Sequence, residues 1–217
     1  TKSGRLLKSR EFSPNDMDGA NEFFYTWIRS NPRSHGLVLG AGTGLWGEWV
    51  LNVYNNDCSA ILVEGDPTNY GRLRAVYGNK PNVKIEHAVV SSKKGKVKFY
   101  LAPENNISST NIDIVIKYFP NMKAEDIPFI EVEPKSVSEI LSKNSTKLDW
   151  IRLDLEGSDH EIIMDLDYSV LLNLSMLVYE HDNINKSQIL DIEKKLCAFG
   201  FNEFKTFWID RVCLKIK

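Results

Sequence analysis

Cysteine is scarce in this chain, neither sign of charge dominates and long apolar runs are missing, and each shortage removes a class of protein. The three cysteines, Cys58, Cys197 and Cys213, are odd in number and widely spaced in apolar surroundings, so they frame neither a disulfide-stapled scaffold nor a zinc site. They read as reduced core thiols, which points to a cytoplasmic setting. A net charge of −2 lacks the basic footprint of nucleic-acid binding, so no nucleic-acid partner is expected. The two basic clusters, Lys2, Arg5, Lys8 and Arg10, then Lys93, Lys94, Lys96 and Lys98, read as a solvated tail and a solvated hairpin. No apolar run approaches the roughly 20 residues of a membrane span. Repeats and internal linkers are missing too. The chain begins at Thr1 with neither an initiator methionine nor a signal-like apolar segment, which reads as a piece of a longer polypeptide with neighbouring domains.

What is present is ordinary globular composition, 42% hydrophobic and 26% charged over 217 residues, enough for one domain that buries roughly 70% of the surface of its unfolded chain. Its organising stretch is Gly36 to Gly47, Gly-Leu-Val-Leu-Gly-Ala-Gly-Thr-Gly-Leu-Trp-Gly. Leu37 to Leu39 has the pattern of a buried parallel strand, Gly40, Gly42 and Gly44 form a turn that no side chain crowds, and Leu45 opens a helix. Such a turn lets backbone N–H groups approach a ligand.

In chain order, residues 1–34 read as a polar lead-in and one helix, and 35–217 as the main domain. Asn15 or Asp16 can cap a helix over Met17 to Arg29, which Pro32 ends. Strand one (36–40) and the glycine turn lead to a helix over 45–54 bearing Trp46, Trp49 and Val50. Strand two is Ala60–Val63, and Pro67 starts a helix with Tyr70, Leu73 and Val76 as its buried stripe. Strand three spans Val83 to Val90, and Lys96–Leu101 alternates as an added antiparallel strand does. Between Ala102 and Pro128 periodicity fades, and a loop so long reads as a substrate lid. Phe129–Val132 is a short strand, Ser136 begins a helix, and Leu148–Leu153 is a buried strand. A helix from Asp159, strand Met176–Tyr179, a helix over 186–198 and strands 201–207 and 209–216 complete the chain. The alternation predicts an α/β, doubly wound, mostly parallel sheet with an antiparallel last strand and an added strand pair.

In open α/β sheets ligands bind at the carboxyl ends of the strands. Strand one ends in the glycines, strand two in Glu64 and Gly65, strand three near His87 and Ala88, the next in Asp154 and Glu156, and another in Glu180 and His181. Glu64 stands where a carboxylate accepts both hydroxyls of a ribose, which predicts a nucleoside-type cofactor. A nicotinamide dinucleotide wants Gly-x-Gly-x-x-Gly at the strand end, and here Gly42, Gly44 and Gly47 start two residues late. S-adenosyl-L-methionine asks for the Gly-x-Gly-x-Gly that Gly40, Gly42 and Gly44 supply. The antiparallel ending favours the methyl donor, and an NAD(P)-dependent oxidoreductase stays open as the second reading. A fold that only binds, without catalysis, is the third.

The chain resembles class I S-adenosylmethionine-dependent methyltransferases of the FkbM family. The resemblance rests on Gly40-Ala41, on Glu64 with Pro67 and Leu73, on the segment from Asn82 to Ser92, and on Gly95. Its most specific part is Ile151-Arg-Leu-Asp154-Leu-Glu156-Gly157-Ser-Asp159, followed by Tyr179-Glu180-His181. It covers about 35 to 217 and implies a seven-stranded Rossmann-like sheet, the donor S-adenosyl-L-methionine and a sugar or glycan acceptor. Cofactor contacts are expected from Gly40, Ala41, Gly42, Gly44, Glu64, Gly65, His87, Ala88 and Asp154. Val38 stands where such enzymes carry an acidic residue and Gly42 where the family has Asn, which leaves Asp154 to serve the methionine amino group.

Methyl transfer to a hydroxyl is an in-line displacement in which the protein aligns the nucleophile and removes its proton. His181 is the first expected base, since an imidazole is largely neutral at pH 7; Asp154 or Glu180 is the second, and Glu156 is the fourth catalytic candidate. The plainer reading of His181 is a strand-end histidine bonded to a loop, that of Glu156 a charge favouring a helix N-terminus, and that of His87 a surface residue instead of an adenine contact. Asp182 and Asn183 follow Asp154 at a spacing reminiscent of magnesium-dependent catechol-type methyltransferases, but Gly157 replaces their catalytic lysine, so no metal is expected. Asn105, Asn106, Ser108, Ser109, Thr110 and Asn111 suit sugar hydroxyls and are also ordinary loop composition.

Overall fold

Strand β1 (His35–Leu39) lies in the middle of a sheet because everything in it after His35 is buried, which only a strand covered on both faces allows. The computed structural model describes residues 19–44, 58–103, 107–143 and 147–216. The lead-in with its cap at Asn15 or Asp16, the first basic cluster, the helix expected over 45–54, and Asn105 and Asn106 lie outside the described residues. The elements are α1 (Gly19–Ser30), β1, β2 (Ser59–Glu64), α2 (Pro67–Tyr77), β3 (Val83–His87), β4 (Val97–Tyr100), α3 (Ile112–Tyr118), β5 (Phe129–Val132), α4 (Val137–Ser142), β6 (Trp150–Leu153), α5 (Asp159–Asp165), α6 (Tyr168–Asn173), β7 (Met176–Glu180), α7 (Lys186–Ala198), β8 (Glu203–Phe207) and β9 (Asp210–Leu214).

Seven strands form one sheet in the order β3-β2-β1-β6-β7-β9-β8, and β4 and β5 pair separately. From β3 to β7 every pairing is parallel, whereas β9 runs antiparallel to both β7 and β8. Reading along the strands, alternate side chains go to opposite faces. Leu37, Leu39, Ile61, Val63, Ile151, Leu153 and Leu177 join one core with residues of α4, α5, α6 and α7. Val38, Leu62, Trp150, Met176 and Val178 join a second core with α1 and α2. The sheet is therefore wound on both faces, as the alternation of elements predicts. Val38 is 3% exposed within the second core. Phe24 of α1 meets Trp150 edge-on, with ring centroids 4.9 Å apart, and a Cβ on Gly36 would come within 2.0 Å of the same indole.

Several expected elements differ from those observed, each for a local reason. Strand three stops at His87 because its partner β2 ends at Glu64, where Asp66 caps α2 by accepting from Thr68 and Asn69 N–H. Beyond it the chain joins Lys135 instead, through Lys135 N–H to Val89 O and Ser91 N–H to Lys135 O. On α2 the buried stripe is Asn69, Leu73 and Tyr77, while Val76 is 43% exposed. The Tyr77 hydroxyl donates to Gly44 O at 2.9 Å, which turns that face inward. The stretch from 102 to 128 is not structureless. It holds α3, capped by Asn111, and a short 3-10 turn over Ala124–Asp126; α6 also went unread. The last two strands are shorter than expected, because Phe201 N–H is held by Leu196 O at the end of α7. Cys58 and Cys213 are buried, but Cys197 is exposed, because α7 turns Ile192 and Leu196 inward instead. Among the described residues no helix is long and apolar enough to cross a membrane.

Removing the ring in Phe24→Ala is expected to cost about 3–5 kcal/mol, read as a fall in chemical-denaturation stability. Val76→Ser, on the exposed face of α2, is expected to stay within about 0.5 kcal/mol of the parent.

Candidate active site

The strand ends meet where β1 runs into Gly40-Ala41-Gly42. Gly40 has φ +79°, and a Cβ there would stand 1.9 Å from the carbonyl oxygen of Asp154. Only glycine lets this turn lie directly against the end of β6. Gly40 and Ala41 N–H both donate to Val63 O. At the end of β2 the Glu64 carboxylate accepts from Gly42 N–H at 2.6 Å and from Asp66 N–H at 2.7 Å. Burial raises its pKa from 4.5 to about 7, against the lowering effect of those two amides. A carboxylate has about four acceptor positions, so these amides leave part of that capacity for a ligand. The turn, Glu64, Gly65 and Ala88 border a cavity of about 380 Å³, within the range of roughly 300–1,000 Å³ for small-molecule sites.

Beside the glycine turn the cavity wall is acidic. Asp154 and Glu156 follow β6 and line it, and Glu180 ends β7 beside them; one carboxylate oxygen from each lies within 4.8 Å of the others. Asp159, fully buried, accepts from Leu155 N–H, and Asp210 of β9 pairs in register with Glu180. Burial first, then neighbouring carboxylates, raises Glu156 to about 8 and pushes Glu180 well above its ordinary value. Asp154 is raised by burial and drawn back by the Arg152 guanidinium. Glu156 adopts φ +48°, rare outside glycine, and Trp208, in the two-residue turn between β8 and β9, has φ +42°. Both line the cavity, and each such backbone costs about 1–3 kcal/mol that its surroundings must supply.

The segment after β4 supplies part of that support. Ser109 Oγ donates to Glu156 O at 2.9 Å, Thr110 Oγ1 lies 3.2 Å from Ser158 Oγ, and Ser108 Oγ donates to Asp66. Asn111 caps α3, whose Ile114 packs against Gly157. Most of the loop's polar groups are thus spent on holding it to the strand ends; Ser108 and Thr110 also line the cavity. From α3, Lys117 binds both Asp182 and Asn183, at 2.8 and 2.9 Å, so an ammonium already occupies the pair whose spacing suggested a metal.

The structure brings Gly40, Ala41, Gly42, Glu64, Gly65, Ala88, Asp154 and Glu156 to the cavity wall. Gly44 lies beneath the turn, where a Cβ would meet Tyr77 at 2.5 Å. His87 is exposed, stacked on Tyr70 at 4.4 Å with Nε2 3.2 Å from Gly65 O, outside the cavity lining. Glu180 is buried and lies outside the cavity lining. His181 donates its backbone N–H to Ile209 O, and its buried Nε2 has no partner among the described residues. Arg152, Trp208 and Asp210 also face the cavity and were not singled out in the sequence. An arginine inside an otherwise apolar strand was a legible signal for the first; Asp210 had none, because its strand pairs across the sheet.

The model of the methyltransferase FkbM domain matches residues 39–203. Among solved structures, methyltransferase FkbM from Methylobacillus flagellatus superposes with a TM-score of 0.53 and 12% identity, over 98% of this chain and 58% of that one. Precorrin-6y C5,15-methyltransferase from Geobacter metallireducens gives 0.52 at 11% identity, over 98% and 96%. Very-long-chain 3-oxoacyl-CoA reductase from Lodderomyces elongisporus is 24% identical over 117 residues, 54% of this chain, which thus spans about a third (33%) of that relative. The structural likenesses show the fold.

Glu64 gives a pH test that needs no ligand. Its carboxyl titrates near 7 in the fold and near 4.5 ordinarily, so between those values the native state holds more protons and stability falls as pH rises. Roughly 3 kcal/mol is lost as pH climbs through 7. Urea unfolding across this range is expected to show that decline and a shallower one in Glu64→Gln.

Proposed function

The chain belongs to the methyltransferase FkbM domain family, and from that premise we propose that it is an S-adenosylmethionine-dependent O-methyltransferase acting on a hydroxyl of a sugar or glycan. The observation that carries this reading is one cavity lined by the glycine turn, by Glu64 and by two carboxylates of an acidic cluster, Asp154 and Glu156. When bound, S-adenosylmethionine supplies an electrophilic methyl group on a positively charged sulfur. The residues present fit that group. Gly40 and Gly42 leave the backbone uncovered, Glu64 keeps acceptor positions for ribose hydroxyls, and the carboxylates favour a cationic ligand.

On the acceptor side, Asp154 is the base. It lines the cavity, and a carboxyl raised by burial is closer to the pKa that proton abstraction near neutral pH asks for. Glu156, titrating near 8, is protonated at pH 7 and can hold an acceptor oxygen as a donor. The Trp208 ring, 51% exposed at the cavity mouth, offers an apolar surface beside polar groups, which suits the mixed C–H and O–H faces of a sugar. The His181 ring, outside the lining, serves as support for this edge.

Calorimetry with S-adenosylmethionine, and separately with NAD(P)H, tests the cofactor. Saturable heat is expected only with the methyl donor, and heat with the nicotinamide alone would replace this reading with an oxidoreductase. Incubation with candidate glycans and donor is expected to add one methyl mass. Asp154→Asn is expected to lower kcat by about 10²–10⁴-fold with donor affinity retained. His181→Ala is expected to leave more activity than Asp154→Asn, and the reverse order would move the base to the imidazole.

A further inference from the structure

Three carboxylate oxygens, one each from Asp154, Glu156 and Glu180, lie within 4.8 Å of one another. Carboxylates brought so close are ordinarily separated by hydrogen-bond donors or share protons with one another. Here Glu180 is only 5% exposed, yet its Oε2 has no hydrogen-bond partner among the described residues, and neither has the buried Oε2 of Glu156. The lysine that approaches this edge, Lys117, is engaged by Asp182 and Asn183. Arg152 donates to Asn21 and influences Asp154 and Asp210 from the other side. A buried carboxylate with an unpartnered oxygen, within 4.8 Å of two others, is the arrangement that an oxygen-seeking cation completes.

We propose that Asp154, Glu156 and Glu180 bind one hard divalent cation, of the magnesium, manganese or calcium class. All three ligands are oxygens, which disfavours softer metals. Oxygens sharing a Ca²⁺ or Mg²⁺ ion stand no more than about 5.2 or 4.2 Å apart, so three oxygens within 4.8 Å of one another are close enough to converge on one such ion. Glu180, the most buried, anchors the ion; the other two lie on the cavity wall, Glu156 giving up its proton to the solvent when the metal binds, so waters or an acceptor hydroxyl complete the shell. Asp154, bound through one oxygen, keeps its second for a proton. This site differs from the Asp182–Asn183 pair. It is a property of the protein alone and stands or falls separately from methyl transfer.

The probe is Mn²⁺, titrated into the donor-free protein and followed by electron paramagnetic resonance. One saturable site per chain is expected, emptied by excess Mg²⁺ or Ca²⁺ and weakened by at least about tenfold in Glu180→Gln and in Glu156→Gln, since affinity follows the count of ligand charges. Circular dichroism checks that each variant is folded; Glu156→Gln, nearer the surface, covers the case in which Glu180→Gln is not. No saturable Mn²⁺ site in the parent would overturn the proposal, as would binding of unchanged strength in a folded variant. If the parent binds no Mn²⁺ and Glu180→Gln instead weakens S-adenosylmethionine, the cluster serves the donor's positive charge and the metal site is excluded. A parent that binds Mn²⁺ but no methyl donor would support the metal site and overturn only the methyltransferase reading.

Discussion

Burial of a group of carboxylates, with their mutual repulsion added to it, sets the character of the carboxyl edge of this sheet. Asp154, Glu156, Asp159, Glu180 and Asp210 come from four separate segments, and each is placed by an element that is stable for other reasons. β6 and β7 are apolar strands packed on both faces, α5 begins at Asp159, and β9 reaches the site by pairing with β7. Arg152 offsets part of the charge, and the Leu155 amide another part. What remains raises the proton affinity of the group and makes the site receptive to positive charge, which is the common requirement of the donor and of the proposed metal.

The glycine turn is the counterpart of that cluster. Its role follows from proximity: Gly40 lies so close to the Asp154 carbonyl that the loops after β1 and β6 are effectively one surface. Glu64 then holds the turn open from the β2 side through Gly42 N–H. Backbone amides and the Glu64 carboxylate border the same cavity as Asp154 and Glu156, so a ligand that joins a nucleoside to a positive charge satisfies both. The strained backbone of Glu156 and the segment from Ser108 to Lys117 belong to the same device. Ser109 and Ile114 fasten the turn that carries Glu156, which explains why a stretch rich in polar residues leaves few of them for a ligand.

Much of this architecture was legible in the order of the residues. The apolar run before Gly40, the Pro67 start of α2, the Ser136 cap and the Asn185 capping box of α7 are local signals, and local hydrogen bonding and burial obey them. The antiparallel ending was readable as well, since Trp208 and Ile209 leave no room for a crossover. Val76 and Cys197 went the other way, because a helix face is chosen by what packs on it: Tyr77, hydrogen-bonded to Gly44, took the inner position on α2, and Ile192 and Leu196 took it on α7. The short α3 was hidden by its polar surroundings.

The sequence by itself determined the strands, their direction and which residues stand at their carboxyl ends, because periodicity, caps and turn lengths act over a few residues. It also carried the family, through the segment from Ile151 to Asp159. Only the tertiary structure decided which of those strand-end residues share a cavity. It brought carboxylate oxygens of Asp154, Glu156 and Glu180 within 4.8 Å of one another, brought Asp210 and Trp208 from the end of the chain, left His87 outside on Tyr70, and gave Asp182 and Asn183 to Lys117. Burial and charge coupling depend on neighbours far apart in the chain, and no spacing along it encodes them.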